Sequence, residues 1–394
     1  MGSGGREHAL AWKLAQSPLL SELHAAPGNP GIETLGSCHD AAAGDVPALV
    51  RRLRPDLVVI GPEAPLVAGL ADELRAAGTA VFGPGRAAAR IEGSKRFAKD
   101  VMQAAGVPMA RTLDEPRAPA VVKEDGLAAG KGVHVCHTDQ ELATALATTS
   151  SGAFVEELIA GDELSVFALV AGREVVPLAP ARDHKRVGEG ETGPNTGGMG
   201  AFSPVPGVGT DDVADLVDLV HRPVAAELAR RGTPFTGLLY AGLMLTTEGP
   251  RVLEFNCRFG DPETQALLPR LDGDLLAGLA AAVGGDLAGV RLEAAEHAAV
   301  TVVLAAGTYP QQGSSGVLIR GIAEAEATGA LVFHAGTAGR AGRLVTNGGR
   351  ILALTGTGSS LDDARERAYA GASCIQFAGC HYRRDIAGRT HALV

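Results

Sequence analysis

The chain has 394 residues, 46% of them hydrophobic and only 4% aromatic, and it has a formal net charge of −10. This length predicts two to four domains, and the composition is typical of a well-buried α/β enzyme and excludes a disordered chain. The negative charge argues against nucleic-acid or membrane-surface binding. No apolar segment is long enough to span a membrane, glycines rather than a signal peptide follow Met1, and the five cysteines form no CxxC pair. We therefore expect a cytoplasmic protein with reduced thiols.

The first ninety residues alternate short apolar strands with helices, which predicts a small domain with a doubly wound parallel sheet. We expect strands at 57–60 and 80–84 and a helix at 68–77. The chain opens with a glycine loop at residues 2–5 and a helix near 8–12, as after the first strand of a phosphate-binding unit, but no apolar strand precedes the loop. The ligand crevice of such a sheet lies beyond the carboxyl ends of its strands.

The middle region, residues 91–297, begins with a predicted helix that includes residues 93–97. Its predicted strands are 120–123, 154–157, 164–168, 238–245 and 252–256. The last block, residues 298–394, has predicted strands at 299–305 and 350–354 and a predicted helix at 361–370. We expect this block to be an α+β domain.

Lysine is unusually rare, because only six of the 35 basic residues are lysines. Lysine is a compact point charge that fits against phosphate, whereas arginine is a wide planar fork. We therefore interpret Lys95, Lys123 and Lys131 as functional, and Lys13 and Lys99 as chance placements on solvated helices.

A glycine-rich loop follows the predicted strand that ends at Lys123. It contains Gly126, Gly130 and Gly132, and such a loop exposes backbone N–H groups that can close over phosphates. It is not a P-loop, because Gly132 stands where that motif needs serine or threonine.

Three polar residues alternate along the strand predicted at 252–256 and just beyond it. If the strand is straight, Glu254, Asn256 and Arg258 share one face. A carboxylate and an amide oxygen suit Mg²⁺, which keeps room for water and nucleotide phosphates. Arg258 is placed to hold a phosphate or a carboxylate. The apolar neighbours indicate a buried strand, so these polar groups need partners.

Two further segments, DHKRVG (183–188) and TGPNTGGMG (192–200), combine glycines with a basic cluster. They are typical of a backbone-lined anion or substrate site, and the scarcity of lysine makes Lys185 beside Asp183 notable.

These motifs together resemble the phosphoribosylamine–glycine ligases (glycinamide ribonucleotide synthetases) of the ATP-grasp superfamily. The resemblance covers nearly the whole chain in order, through GREHALAW, GPEAPL, EGSK, KEDGLAAGKGV, DHKRVG, GPNTGGMGAFSP, GLLYAGLM, EFNCRFGDPET and VTNGGR. It implies an amino-terminal domain at 1–90, an ATP-grasp domain at 91–297 with a mobile lid at about 111–170, and a carboxy-terminal domain at 298–394.

The resemblance also implies roles for individual residues. The residues implied for nucleotide binding are Lys95, Lys123, Gly126, Gly130, Lys131, Gly132, Glu156, Glu157, Leu158 and Glu163. Glu254 and Asn256 would bind Mg²⁺ or Mn²⁺, and the residues implied for catalysis are Arg258, Lys131, Asp183 and Lys185. The residues implied for binding glycine and the sugar phosphate are Gly4, Gly5, Arg6, Glu7, Gly61, Pro62, Glu63, Arg186, Asn195, Thr196, Gly197, Gly198, Met199, Gly200 and Asp261.

The implied reaction joins glycine to 5-phosphoribosylamine through glycyl phosphate and converts ATP to ADP and phosphate, in purine (IMP) biosynthesis. The implied protein is a monomer or a weak homodimer that binds small molecules, not nucleic acid or membranes.

The sequence departs from the family pattern in three places. The first strand is absent, for which a misplaced start is our preferred explanation, and the stretches 114–119 and 147–152 are short. Glu124 stands where the family usually has alanine, and it could pair with Lys123 or repel phosphate.

Three other functions are alternatives. They are another ATP-grasp ligase or carboxylase of purine biosynthesis, a non-catalytic nucleotide-binding protein with a truncated amino terminus, and a dinucleotide-dependent oxidoreductase. The last is the weakest, because Glu7 occupies the third glycine position of GxGxxG.

Overall fold

A computed structural model describes residues 1–127, 132–149 and 152–388. The amino-terminal part consists of α1 (Gly5–Leu14), β1 (His24–Ala25), β2 (Ser37–Cys38), α2 (Val46–Leu53), β3 (Val58–Val59), α3 (Glu63–Ala68), α4 (Leu70–Ala76), β4 (Val81–Phe82) and α5 (Arg86–Gly93). Strands β3 and β4, predicted at 57–60 and 80–84, pair in parallel. Strands β1 and β2, which were not predicted individually, also pair in parallel.

Met1 and Gly2 fill the gap between these two strand pairs. The Gly2 amide donates to the Ala26 carbonyl at 2.7 Å, and the Met1 amino group donates to the Val59 carbonyl at 2.8 Å. The Gly61 amide donates in turn to the Met1 carbonyl at 3.0 Å. Met1 and the first residue of the glycine loop therefore lie where the strand missing from the sequence was expected.

Two predicted helices are interrupted. The helix expected at 68–77 divides at Gly69, whose φ of 93° lies in the left-handed region and ends α3. The helix expected across 93–97 divides at Ser94, which is extended and accepts a hydrogen bond from the Phe97 amide as the N-cap of the next helix. Lys95 is therefore the first residue of a helix rather than an interior one.

The middle part contains the central sheet and a smaller sheet, named the lid sheet because it lies in the segment 111–170 that was predicted to form a lid. Its elements are α6 (Lys95–Ala105), β5 (Ala120–Lys123), β6 (Val133–Cys136), α7 (Asp139–Thr148), β7 (Phe154–Glu157), β8 (Asp162–Gly172), β9 (Glu174–Pro177), β10 (Arg182–Asp183), β11 (Arg186–Gly188), β12 (Thr192–Asn195), β13 (Gly200–Ser203), α8 (Thr210–Leu216), α9 (Arg222–Arg230), β14 (Phe235–Thr246), β15 (Gly249–Asn256), α10 (Glu263–Leu267) and α11 (Leu275–Gly284).

The lid sheet has the antiparallel order β6-β5-β7, and α7 covers it with a small core of its own that includes Val122, Leu142 and Val155. The central sheet has the antiparallel order β15-β14-β8-β9. Strands β8 and β14 are buried over most of their length, which explains their almost continuous apolar sequences.

The carboxy-terminal part adds β16 (Ala298–Ala305), β17 (Ser314–Leu318), α12 (Ile322–Ala327), β18 (Leu331–His334), β19 (Thr337–Arg340), β20 (Arg343–Gly348), β21 (Arg350–Gly358) and α13 (Leu361–Cys374). Its main sheet has the order β10-β13-β16-β21-β18. Two strands from the middle part, β10 and β13, thus extend a sheet whose other strands lie beyond residue 297. None of the helices in the described ranges combines the length and hydrophobicity of a membrane span.

Candidate functional site

One large cleft, of about 930 Å³, brings together residues from all three parts of the chain. The predicted site residues that line it are Arg6, Glu63, Lys95, Lys123, Gly126, Gly132, Glu156, Glu157, Leu158, Glu163, Asp183, Lys185, Arg186, Asn195, Thr196, Gly197, Glu254, Asn256, Arg258 and Asp261. The predicted site residues that line the cleft are thus up to 255 positions apart in the sequence, from Arg6 to Asp261.

Other predicted site residues lie behind the wall of the cleft or outside the described ranges. Gly130 and Lys131 lie outside them. The residues behind the wall are Gly4, Gly5, Glu7, Gly61, Pro62, Gly198, Met199 and Gly200. The glycine loop packs around the Glu7 carboxylate, which accepts a hydrogen bond from the Gly4 amide at 2.6 Å. A Cβ atom on Gly61 would lie 2.2 Å from the Glu7 Oε1 atom. These glycines thus leave space for an internal carboxylate.

A chain of alternating charges connects the amino-terminal part to the end of β15. Arg6 Nε lies 2.7 Å from Glu7 Oε1, and Arg258 Nε lies 3.2 Å from Glu63 Oε2. Arg258 also reaches Glu92, at 3.2 Å. Burial opposes ionisation of Glu63, but the charges of Arg258 and Arg6 outweigh it and hold the pKa of that carboxyl below its usual value. Arg258 is thus held in a fixed position at the floor of the cleft.

Glu254 and Asn256 are the candidate metal ligands. Strand β15 places them opposite Gly242 and Tyr240 of β14, with a register shift just before Glu254, and both line the cleft. In the described part of the chain, no group of three or more His, Cys, Asp or Glu side chains is arranged to hold a metal ion. Two hard oxygen donors fit Mg²⁺, which usually takes one or two protein carboxylates together with water and substrate phosphates.

Three lysines, Lys95, Lys99 and Lys123, line the part of the cleft where nucleotide binding is predicted. Lys95 Nζ donates to the Gly126 carbonyl at 3.0 Å, and burial lowers the pKa of this lysine. Lys123 Nζ lies 2.6 Å from Glu156 Oε2, and Lys99 Nζ lies 2.5 Å from Glu156 Oε1. The two lysines thus hold the Glu156 carboxylate from both sides.

The interpretation of Lys99 and Lys13 as solvated surface lysines is wrong. The Lys99 side chain is 15% exposed and lines the cleft. Lys13 is partly buried and donates to the Leu271 carbonyl at 2.6 Å. If every one of the six lysines had been treated as functional because lysine is rare in this chain, Lys99 and Lys13 would have been predicted to make specific contacts.

The side chains of the predicted adenine hinge already have protein partners. The Glu157 carboxylate accepts hydrogen bonds from the backbone amide and the guanidinium of Arg111, at 2.9 and 2.8 Å. Glu156 is occupied by its two lysines, so Leu158 and the hinge backbone are the parts left to face a ligand.

Glu124, whose role the sequence leaves open, lies 3.6 Å from His134 Nε2, while Lys123 bonds to Glu156 and to the Leu253 carbonyl.

The part of the cleft around Asp183 and Lys185 is acidic. Lys185 Nζ lies 2.6 Å from Glu163 Oε2 and 3.7 Å from Asp183 Oδ1. Burial raises the pKa of Asp183 to about 8; Lys185 opposes this shift and Glu263 reinforces it. Glu163, predicted to lie near the nucleotide ribose, forms this ion pair with Lys185 while it lines the cleft. One lysine thus serves two carboxylates in this pocket.

The carboxy-terminal part supplies residues that the sequence analysis did not single out. Tyr309 and Arg350 line the cleft, and Arg350 lies 3.1 Å from the Asp261 carboxylate. The Gly197 amide donates to the Tyr309 hydroxyl at 3.0 Å. Arg350 ends the VTNGGR motif, so the motif contained a signal for it, whereas no local pattern marks Tyr309.

Hydrogen bonds and ion pairs around Arg383 hold the segment 184–196 in place. The Arg383 side chain is 1% exposed and donates to Glu191 at 2.6 Å, to Asp385 at 2.7 Å and to the Arg186 carbonyl at 3.0 Å. His184 Nδ1 lies 2.9 Å from the same Glu191 carboxylate. The hairpin of β11 and β12, which lines the cleft, is thus fixed by residues almost 200 positions away.

Comparison with known proteins gives one consistent family. Models of phosphoribosylglycinamide synthetase match as its N domain over residues 1–92, its ATP-grasp (A) domain over 93–264 and its C domain over 299–389. The phosphoribosylamine–glycine ligase of Mesorhizobium japonicum is 47% identical over 98% of this chain and 96% of its own length. That of Streptomyces coelicolor is 49% identical over 99% of this chain and 98% of its own.

Solved structures agree with this assignment. The crystal structure of phosphoribosylamine–glycine ligase from Thermotoga maritima is 34% identical, covers 98% of each chain and has a TM-score of 0.84. A biotin carboxylase from Campylobacter jejuni aligns over 98% of this chain and 92% of its own with a TM-score of 0.68, but at 12% identity. That likeness shows a shared fold alone.

Proposed function

We propose that this chain, which belongs to the phosphoribosylglycinamide synthetase family, joins glycine to 5-phosphoribosylamine in an ATP-dependent reaction that yields glycinamide ribonucleotide, ADP and phosphate. The reaction belongs to purine (IMP) biosynthesis. The observation that supports it best is the single cleft in which Lys95 and Lys123, the Glu254–Arg258 face and the Asp183–Lys185 pocket meet.

The chemistry proceeds in two steps. An oxygen of the glycine carboxylate attacks the γ-phosphorus of ATP, the bond to ADP breaks, and glycyl phosphate forms. The amine of phosphoribosylamine then attacks the glycyl carbonyl, and phosphate leaves as the amine gives up a proton. Phosphorylation is needed because a carboxylate is a poor electrophile. The protein's contribution is to position the groups and neutralise charge, while a closed lid keeps water from the acyl phosphate.

We propose that Lys95, Lys123 and the loop 126–132, which includes Lys131, bind the ATP phosphates. The end of β7 and Leu158 bind adenine mainly through the backbone, because Glu156 and Glu157 are engaged with Lys99, Lys123 and Arg111. Glu254 and Asn256 would hold Mg²⁺ or Mn²⁺, which would supply charge neutralisation to the phosphates. Arg258, fixed by Glu63 and Glu92, stabilises the phosphoryl group in transfer.

We further propose that Asp183, Lys185, Arg186 and the 195–197 segment bind glycine and phosphoribosylamine. The sugar phosphate lies toward Arg6 and Glu63, while the glycines behind them shape the wall. The protein acts in the cytoplasm as a monomer or a weak homodimer.

The test is ADP release measured with Mg-ATP, glycine and phosphoribosylamine generated in place, omitting one component at a time. Release that requires both glycine and the amine supports the ligase. ATP binding without such turnover refutes it in favour of a non-catalytic nucleotide-binding protein. Turnover with a different carboxylate and not with glycine refutes it in favour of another ATP-grasp ligase.

A further inference from the structure

Glu263, the first residue of α10, is a buried carboxylate that faces the cleft. It is 4% exposed and lines the cavity together with Asp183 and Tyr240. Its own backbone amide is the hydrogen-bond donor that faces it, and among the described residues no side chain forms a hydrogen bond or an ion pair with it. An unpaired buried charge is unfavourable, so this carboxylate indicates a cationic partner that is not part of the protein.

The cations nearest to Glu263 already have partners. Lys185 is shared between Glu163 and Asp183, and Arg258 lies between Glu63 and Glu92. Burial raises the pKa of Glu263, and the charges of Lys185 and Arg258 only partly oppose this shift. Arg350, on which the charge of Glu263 also acts, is paired with Asp261. The pocket thus has more carboxylates than these three cations can balance.

The chemistry of the two substrates indicates which of them supplies the positive charge that Glu263 needs. The described side chains offer no three-ligand metal site here, and the metal pair Glu254 and Asn256 lies on β15. The amine of phosphoribosylamine has to be neutral to attack the acyl phosphate. Glycine, in contrast, is a zwitterion, and its carboxylate has to reach the γ-phosphate beside Arg258. Its ammonium group then needs a carboxylate close to Arg258, and Glu263 lines the same cleft and interacts with the charge of Arg258.

We propose that Glu263 binds the ammonium group of glycine and thereby selects an amino-acid zwitterion over a simple carboxylate. This assignment rests on the proposed ligase function and adds a specificity residue to it. Gly260 supports the arrangement, because a Cβ atom there would lie 2.6 Å from Glu263 Oε2 and would displace the carboxylate. Glycine at position 260 thus keeps the carboxylate directed into the cleft.

The experiment compares glycine with glycolate, which replaces the ammonium group by a hydroxyl. The KM for glycine and the Ki for glycolate as its competitor are measured for the full chain and for Glu263→Gln. We expect the KM for glycine to rise about ten- to a hundredfold, as for the loss of a charged hydrogen bond, while the Ki for glycolate changes less than about threefold. Gly260→Ala should raise the KM for glycine in the same direction. Glu293→Gln, on the exposed surface, is the matched control.

Three outcomes overturn the proposal. One is equal weakening of glycine and glycolate, which indicates general distortion. The second is an unchanged KM for glycine with a raised Mg²⁺ requirement or a raised KM for phosphoribosylamine. If Glu263→Gln does not fold, the KM for glycine is measured for Glu263→Asp and Gly260→Ala instead. The third outcome that overturns the proposal is an unchanged KM for glycine in both of these variants. Wild-type protein without glycine-dependent ADP release refutes the ligase function itself, which is a separate result.

Discussion

Replacement of Arg383 by methionine should destabilise the protein by removing the centre of a buried charge network. The Arg383 side chain is 1% exposed and donates to two carboxylates and a carbonyl, so its loss removes one donor from each of these three acceptors. Breaking a buried ion pair costs about 3–5 kcal/mol. Glu191 and Asp385 are themselves 48% and 32% exposed, so water can replace part of the interaction. We therefore expect a loss of about 2–3 kcal/mol in the free energy of unfolding.

The assay is urea and thermal unfolding of wild type, Arg383→Met and Arg384→Met. Arg384 is the adjacent, exposed arginine, and its replacement should change the free energy of unfolding by less than about 0.5 kcal/mol. For Arg383→Met, about 2–3 kcal/mol corresponds to a fall in Tm of roughly 4–12 °C if the affected unit is 150–250 residues long. Equal Tm values for the two variants would refute the reasoning.

The pH dependence gives a second, independent check of the same network. Burial opposes ionisation of Glu191 and Asp385, but hydrogen bonds lower the pKa of each to about 2. The donors are His184 and Arg383 for Glu191, and Arg383 and the Gly190 amide for Asp385. Both carboxyl pKa values are depressed in the folded state, so the stabilisation is present above about pH 4.5 and is lost as the pH falls toward 2. The difference between wild type and Arg383→Met should shrink over this range. A difference that stays constant from pH 6 to pH 3 would contradict the ionic explanation.

Three further predictions concern the cleft. Glu254→Ala should abolish turnover while the circular dichroism spectrum and Tm stay close to those of wild type, and near-normal activity would contradict its assignment as a metal ligand. Lys99→Met leaves the Glu156 carboxylate with one lysine and should raise the KM for ATP about tenfold, with Lys13→Met as the control that leaves this KM unchanged. Asp183 has a folded pKa near 8, raised by burial, so its ionisation disfavours the folded state increasingly from about pH 4 to pH 8. The stability of Asp183→Asn relative to wild type should therefore grow over that range, and urea unfolding at pH 5 and pH 8 measures it.

Strands with strong local signals were predictable from the sequence. The bounds of β5 and β7 agree with the predictions at 120–123 and 154–157, because each is a short apolar run that ends in charged residues. The parallel pairing of β3 with β4 also followed from the alternation of strands and helices. The interruptions at Gly69 and Ser94 were missed, because the flanking residues favour helix on both sides and a single cap decides the break.

The sequence predicted which residues belong to the cleft where those residues stand in a recognisable motif. Glu254, Asn256 and Arg258 all line it, as their alternation suggested. Partnerships across the fold were not predictable, because no local pattern relates residues so far apart. The Lys99 and Glu156 side chains are 57 positions apart, and Arg383 and Glu191 are 192 apart. Each pair forms only after separate elements have packed.

The shared sheet β10-β13-β16-β21-β18 has a consequence for synthesis on the ribosome. Strand β10 contains Asp183, and β13 pairs with β16 over Gly200–Ser203. The pocket around Asp183 thus depends on strands that the ribosome makes about 100 residues later. Synthesis of those residues takes several seconds at roughly 5–20 residues per second. Until then β13 has an unpaired edge that can pair with other nascent chains. A chain cut between residues 285 and 297 should therefore yield an aggregation-prone first fragment, which the separately made second fragment rescues by supplying the missing strands.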